Sequence, residues 1–338
     1  MTMNRRNALS GLGLSGLGAG AALLAGPAVA AGKRLAGGKG GALDLASADG
    51  RLRTFMMMRG ALDEGLITSW VSARYYGVVE DRMDPLFAVV SAVYSRYRQI
   101  ADGFEAVNFE LAWFTDPVTG KALETFRNPY TNKDCKVPSG GYAPSKIRFG
   151  RDLSLHIMRE VPGLQMEHDV LPFDVRGNDV WVTERSRTAM TFPGAPKAFR
   201  YSESNTFHAK KSDLEKRGAT RVTSEVSFTN VCSWRPWLEM GDRLGHLTAV
   251  GIGRQNASPD SLPPAWVEAT AARRSGSRVR RSADCARRLR SSRCRWPPVA
   301  PGRPRDSSYR GRHRRGRLGG LLDRAASSRE QGVRRALG

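Results

Sequence analysis

The chain has 338 residues, and its 54 Lys and Arg outnumber 32 Asp and Glu for a formal charge of +22, a balance that by itself points to nucleic acid. The charge sits at the ends: residues 271–338 hold 21 Arg, no Lys and four acids, residues 1–40 hold five bases and no acid, and residues 41–270 hold 28 of each. A neutral middle in a chain with 40% hydrophobic residues excludes disorder throughout, and four Cys without a Cys-x-x-Cys pair argue against a disulfide scaffold or a structural zinc site.

Met1 to Ala31 opens on Asn4-Arg5-Arg6-Asn7, continues as a Gly- and Ala-rich apolar run from Leu12 to Leu24, and closes on Pro27-Ala28-Val29-Ala30. A charged start, a short apolar middle and small residues at the end are the parts of an export signal. The paired Arg and the Gly-interrupted run resemble a twin-arginine signal, although that pattern has Ser or Thr where Asn4 stands and Phe where Ala8 stands. The run of 13 residues is shorter than the ~20 of a spanning helix. A periplasmic or secreted protein is therefore expected, with the twin-arginine export machinery as a partner and no membrane span after cleavage. Residues 32–42 read as a Gly-rich linker.

From residue 43 to 270 the apolar pattern is mostly period two, the signature of half-buried strands. Strands are expected at Thr54 to Arg59, Thr68 to Val79, Leu86 to Ile100, Phe104 to Phe114, Ala122 to Arg127, Val180 to Thr188, Phe199 to Ala209, Arg221 to Val231 and Gly245 to Gly251. Ala101-Asp102-Gly103 and Asp116-Pro117-Val118-Thr119-Gly120 are tight turns between them. Short helices are expected at Leu153 to Glu160, at Ser212 to Arg217 with Ser212 as N-cap and Glu215 in the capping-box position, and after Pro263-Pro264. The fold class that follows is mainly β, an antiparallel β-barrel or strongly curved sheet with a few short helices. Met56-Met57-Met58, placed on a strand, reads as core filling.

Met58-Arg59-Gly60, Tyr76-Gly77-Val78-Val79, Pro85-Leu86-Phe87, Thr115-Asp116 with Thr119-Gly120, Asn128-Pro129-Tyr130-Thr131, and Trp234-Arg235-Pro236-Trp237 with Met240-Gly241 together resemble the bacterial domain of unknown function eighteen-thirty-eight. The resemblance spans Leu43 to Val267. It implies export, often by a twin-arginine signal, and implies no activity or cofactor.

Two sets of residues are candidates for a site. Glu110 lies inside an expected strand; if it points into a barrel, burial raises its pKa and fits it for general acid or base work, with Arg59 or Arg235 as an electrophilic partner and Tyr130 as a hydrogen-bond donor. The plainer alternative is a solvated Glu on the outer face. Arg59 is also a candidate partner for Glu184, whereas Glu184 and Arg185 face opposite sides of one strand. The second set is Asn128, Tyr130, Trp234, Arg235 and Trp237, read either as a structural turn and an Arg–Trp clamp or as a pocket rim that stacks a flat ligand and pairs its carboxylate with Arg235. No metal site is expected, because Glu167-His168-Asp169 diverge on an extended chain.

The Arg-rich tail, 271–338, has no Lys, as an unselected reading frame of a GC-rich gene or a disordered extension would; the alternative is an arm that binds nucleic acid through phosphates. With the charge confined to the ends, nucleic acid is not the expected partner. The lead expectation is an exported protein that binds a small apolar or aromatic molecule in a β-barrel-like pocket. A metal-independent enzyme acting on such a molecule by acid–base chemistry is second, and nucleic-acid binding through the tail is third.

Overall fold

A computed structural model of the chain describes residues 42–274, apart from 139, 142, 143, 159, 160 and 193–196. The expected export signal, nearly all of the expected linker and the tail beyond residue 274 lie outside the described residues. Three long strands, β1 (Ile67–Val79), β2 (Arg82–Ile100) and β3 (Gly103–Thr115), form a meander through two-residue connections, Glu80-Asp81 and the expected turn at Ala101-Asp102. A separate hairpin follows, β4 (Thr125–Asn128) and β5 (Lys133–Lys136). The chain then runs through β6 (Ser145–Gly150), β7 (Leu155–Ile157), β8 (Leu164–Val170), β9 (Asp174–Arg176), β10 (Asp179–Met190), β11 (Phe199–Lys210), β12 (Ser224–Cys232) and β13 (His246–Ala257).

All but the β4–β5 hairpin belong to one antiparallel sheet in the order β7-β6-β3-β2-β1-β13-β12-β11-β10-β8, with β9 also on β10. The sheet curls into a nearly closed barrel. Its two outermost strands, β7 and β8, are consecutive in the chain, and Ile157 of β7 packs into the same apolar cluster as Met166 and Val170 of β8. At Gly253 a Cβ would lie 2.1 Å from the Trp70 carbonyl oxygen, so β1 and β13 approach there as closely as only glycine permits.

Helix α1 (Ala48–Arg59) corrects the strand expected at Thr54 to Arg59. Ser47 caps it, its side chain accepting from the Gly50 amide, and Asp49 stands in the first turn, both favourable at a helix N-terminus. The helix enters the barrel end, so Leu52, Phe55, Met56, Met57 and Met58 are all buried. Its C-terminal half, residues 54–59, is buried on every side, which leaves no 3.6-residue apolar stripe to read there. The methionines fill the core as expected, from a helix and not from a strand.

Two other helical expectations differ. Leu153 to Glu160 contains β7: Asp152 accepts from the Ser154 amide at 3.1 Å, and Leu153 takes φ +68°, which turns the chain back into a hairpin with β6. Helix α2 (Lys211–Leu214) begins two residues early, with Lys210 and not Ser212 at the cap. The Ser212 amide donates instead to Asn178 Oδ1, and Glu215 accepts from the Leu43 amide. Helix α3 (Pro264–Arg274) follows the paired prolines as expected. Trp266 and Ala269 cover the outer face of β2 and β3, and Trp266 Nε1 donates to the Leu111 carbonyl at 2.7 Å. That cover explains why β3 is buried on both faces.

Candidate functional site

Inside the barrel two apolar clusters are stacked with a polar layer between them. One cluster surrounds α1, with Phe55, Tyr97, Phe104, Phe149 and Phe207. The other closes the opposite end, with Tyr75, Phe87, Phe114, Phe228 and Leu247. The layer between comes from inward positions of the strands that carry polar side chains where a solid core would have apolar ones: Ser69, Ser91, Ser95, Asn108, Glu110, Glu184, Glu203, Asn205 and Gln255, all buried. Burial of so many polar groups is tolerated only where each finds a partner.

The partners are in part internal. Arg59, at the end of α1, is 3% exposed; its Nε donates to Glu184 Oε2 at 2.7 Å and its Nη1 to the Tyr97 hydroxyl at 2.9 Å. His168 Nε2 lies 3.0 Å from Glu184 Oε1. Burial works against the Glu184 charge, but the Arg59 guanidinium and the His168 hydrogen bond outweigh it and hold the carboxyl at about 2. Burial likewise opposes the Arg59 charge, and Glu184 more than compensates, raising the guanidinium above its ordinary value. On the other side of the barrel Ser91 donates to Glu110 at 2.7 Å. Tyr201 and Asn205 both donate to Glu203.

Other partners are missing. Arg59 Nη2 and the Ser69 hydroxyl are buried without a hydrogen bond. Both residues line a chamber of about 50 Å³ whose polar wall also includes Ser91, Ser95, Glu110, Asn205 and Gln255, and whose apolar wall includes Val71, Val89, Val93, Val226 and Phe228. The register sets Val93 opposite both Ser69 and Glu110. A buried donor without an acceptor costs about 1–3 kcal/mol, and the chamber wall carries two such groups.

The chamber thus brings Glu110 and Arg59 together and leaves the second candidate set elsewhere. Asn128 is saturated as a turn residue: its amide donates to the Leu238 carbonyl at 2.7 Å and accepts from the Tyr130 amide. Tyr130 donates to Asp84 at 2.9 Å and packs on Trp234. Trp237 is wedged among Phe87, Phe114 and Phe126. Arg235 stacks over Tyr75 and Phe114 and donates to the Tyr75 hydroxyl, a clamp on those two rings. Together these residues roof the barrel end. Their sequence motifs converge because they pack on one another: a Cβ at Gly77 would lie 2.4 Å from the Tyr130 hydroxyl oxygen.

The family of proteins of unknown function DUF1838 matches residues 63–275. The chain belongs to that family. No curated protein matches the chain. The DUF1838 segment contains every strand of the barrel, the roof and α3 up to its last residue, whereas α1, with Arg59, precedes it. One of the two candidate charges in the chamber is therefore supplied from outside the matched segment.

Glu167 and Asp169 of this DUF1838 chain pair with Arg187 and Arg185 at the surface while His168 points inward to Glu184, the divergence expected of neighbours on a strand. Among the described residues no group of three or more His, Cys, Asp or Glu is placed to hold a metal ion. Ser69, Ser91, Ser95, Asn205 and Gln255 of the chamber wall, and Glu203, which accepts from Asn205, were not legible from motifs. The signal was present in the period-two stripes, where Ser91 and Ser95 interrupt Val89 and Val93, and Glu203 and Asn205 interrupt Tyr201 and Phe207.

Proposed function

We propose that this DUF1838 protein is an exported small-molecule-binding protein whose ligand places its polar end in the barrel chamber. The observation that carries the reading is the pair of buried, unpartnered groups, Arg59 Nη2 and Ser69 Oγ, in the wall of one cavity. Ligand sites of barrels combine apolar walls with a few oriented polar groups, and this chamber has both. Its volume, about 50 Å³, is roughly a third of the ~150 Å³ cavity that holds benzene. A whole aromatic ring is therefore too large for the chamber as it stands, and the occupant is small or enters by a narrow polar end. Export rests on the N-terminal segment; recovery of the protein outside the cytoplasm with its N-terminus near residue 32 would support it, and retention of the unprocessed chain in the cytoplasm would count against it.

Ligand-observed NMR with a panel of small organic molecules tests the binding reading, with Val93→Phe as the blocked control. Saturable binding that Val93→Phe abolishes supports it; binding that the substitution leaves untouched rules the chamber out as the site. A second reading, acid–base catalysis, draws on one observation: Glu110 shares the chamber with Arg59. A Glu110→Gln variant that still binds a substrate but no longer converts it favours that reading, and conversion at the wild-type rate sinks it.

A further inference from the structure

The chemistry of the chamber narrows the ligand class. Arg59 Nη2 can only donate, and the Ser69 hydroxyl can donate as well, so the groups in need of a partner call for an acceptor. A carbonyl oxygen offers two lone pairs and no donor of its own. A carboxylate offers the same lone pairs but brings a charge that the site does not neutralise. The Arg59 charge is already matched by Glu184 at 2.7 Å, and Glu110 stands in the same wall. Two carboxylates confined in one small chamber cannot both ionise without a heavy penalty. An ammonium group fits the opposite way, meeting the Glu110 carboxyl but leaving Arg59 Nη2 unpartnered and adding a second cation beside the guanidinium.

We propose that the chamber recognises a small uncharged carbonyl compound, its oxygen on Arg59 Nη2 and the Ser69 hydroxyl and its carbon skeleton against Val71, Val89 and Val93. The proposal rests on the small-molecule reading of the chamber and specifies what that reading leaves open. Arg59 is held rigidly, since Glu184 and Tyr97 engage two of its nitrogens and Gln255 Nε2 donates to its carbonyl oxygen. The guanidinium therefore meets the ligand already oriented, with little rotamer freedom left to lose.

Three probes of nearly equal size, acetone, acetate and isopropylammonium, titrated at pH 7 into the full chain and followed by ligand-observed NMR, decide the matter. Acetone is expected to bind at least tenfold more tightly than either charged probe. Ser69→Ala, which removes one donor without touching the Arg59–Glu184 pair, is expected to weaken acetone about fivefold, the effect of one hydrogen bond, with folding checked by circular dichroism. Acetate or isopropylammonium binding as tightly as acetone, with Val93→Phe abolishing it, overturns the carbonyl class while the chamber reading stands. Acetone binding unaffected by Ser69→Ala also overturns the proposal. If none of the three probes gives saturable binding that Val93→Phe removes, the proposal falls and the chamber reading with it.

Discussion

Arg59 and Glu184 meet in the barrel interior at 2.7 Å, one from the end of a buried helix and one from the middle of β10. Neither is more than a few per cent exposed. The contact joins the helix to the sheet and aligns a guanidinium that also lines the chamber, so it links the stability of the barrel to its proposed recognition chemistry.

Breaking that pair leaves a buried charge uncompensated, which costs about 3–5 kcal/mol. Glu184→Gln is expected to lower the unfolding free energy by about that amount at pH 7, measured by urea denaturation. The pair also sets an acid limit. Glu184 is held at about 2 against an ordinary 4.5. A carboxyl whose pKa falls on folding contributes stability in full above its unfolded value, and that contribution is lost as pH drops through its folded value. Wild-type protein should therefore lose stability between about pH 4.5 and pH 2, and Glu184→Gln should lose less over that window.

The roof predicts a packing coupling. A Cβ at Gly77 meets the Tyr130 ring, with the hydroxyl oxygen 2.4 Å away. Gly77→Ala must displace Tyr130 and strain its bond to Asp84, at a cost of about 1–3 kcal/mol. In a Tyr130→Ala background the same substitution should cost much less. A double-mutant cycle by chemical denaturation measures the difference, and equal costs in both backgrounds would mean that the contact does not govern Gly77.

Trp237 distinguishes a roof from a ligand rim. It is packed within 5.2–6.0 Å, centroid to centroid, of Phe87, Phe114 and Phe126. Trp237→Ala should destabilise the fold by about 3–5 kcal/mol. Trp237→Phe should keep most of that stability and leave probe affinity in the chamber within twofold of wild type; a large affinity loss in the stable Phe variant would return the roof to the binding site.

Much of the barrel was legible in the sequence because its strands are half-buried. β11 and β12 alternate inward and outward residues along their length, and the turn at Asp116 is written in its residues, with Asp116 Oδ1 accepting from the Val118 and Thr119 amides. Helix α1 was not legible, because burial of every side of its second half, residues 54–59, removes the periodicity that marks a helix. β7 was hidden by a leucine in a left-handed conformation that its sequence does not announce. At the site, Glu110 and Arg59 stood out as charges among apolar residues. The roof residues stood out as well, since aromatic packing and ligand stacking draw on the same side chains. Pairing of Arg59 with Glu184 in preference to Glu110 depends on how far α1 reaches into the barrel, which local sequence does not encode.

The +22 charge of the whole chain is carried almost entirely by segments outside the described residues. Within them, Trp113 Nε1 donates to Thr270 Oγ1 at 2.9 Å, tying α3 to the outer face of β3. A chain ending at Arg274 keeps this bond and is expected to unfold at the same urea concentration as the full chain. A shift in its midpoint would assign the tail a part in folding.

Methyl-resolved NMR during an acetone titration tests recognition in the chamber most directly, since the valine methyls report on separate regions of the molecule. Binding in the chamber predicts shifts concentrated on Val71, Val89, Val93 and Val226, which line it. Shifts confined to Val250 and Ile252 on the exposed outer face of β13, or to residues of the aromatic roof, would contradict it.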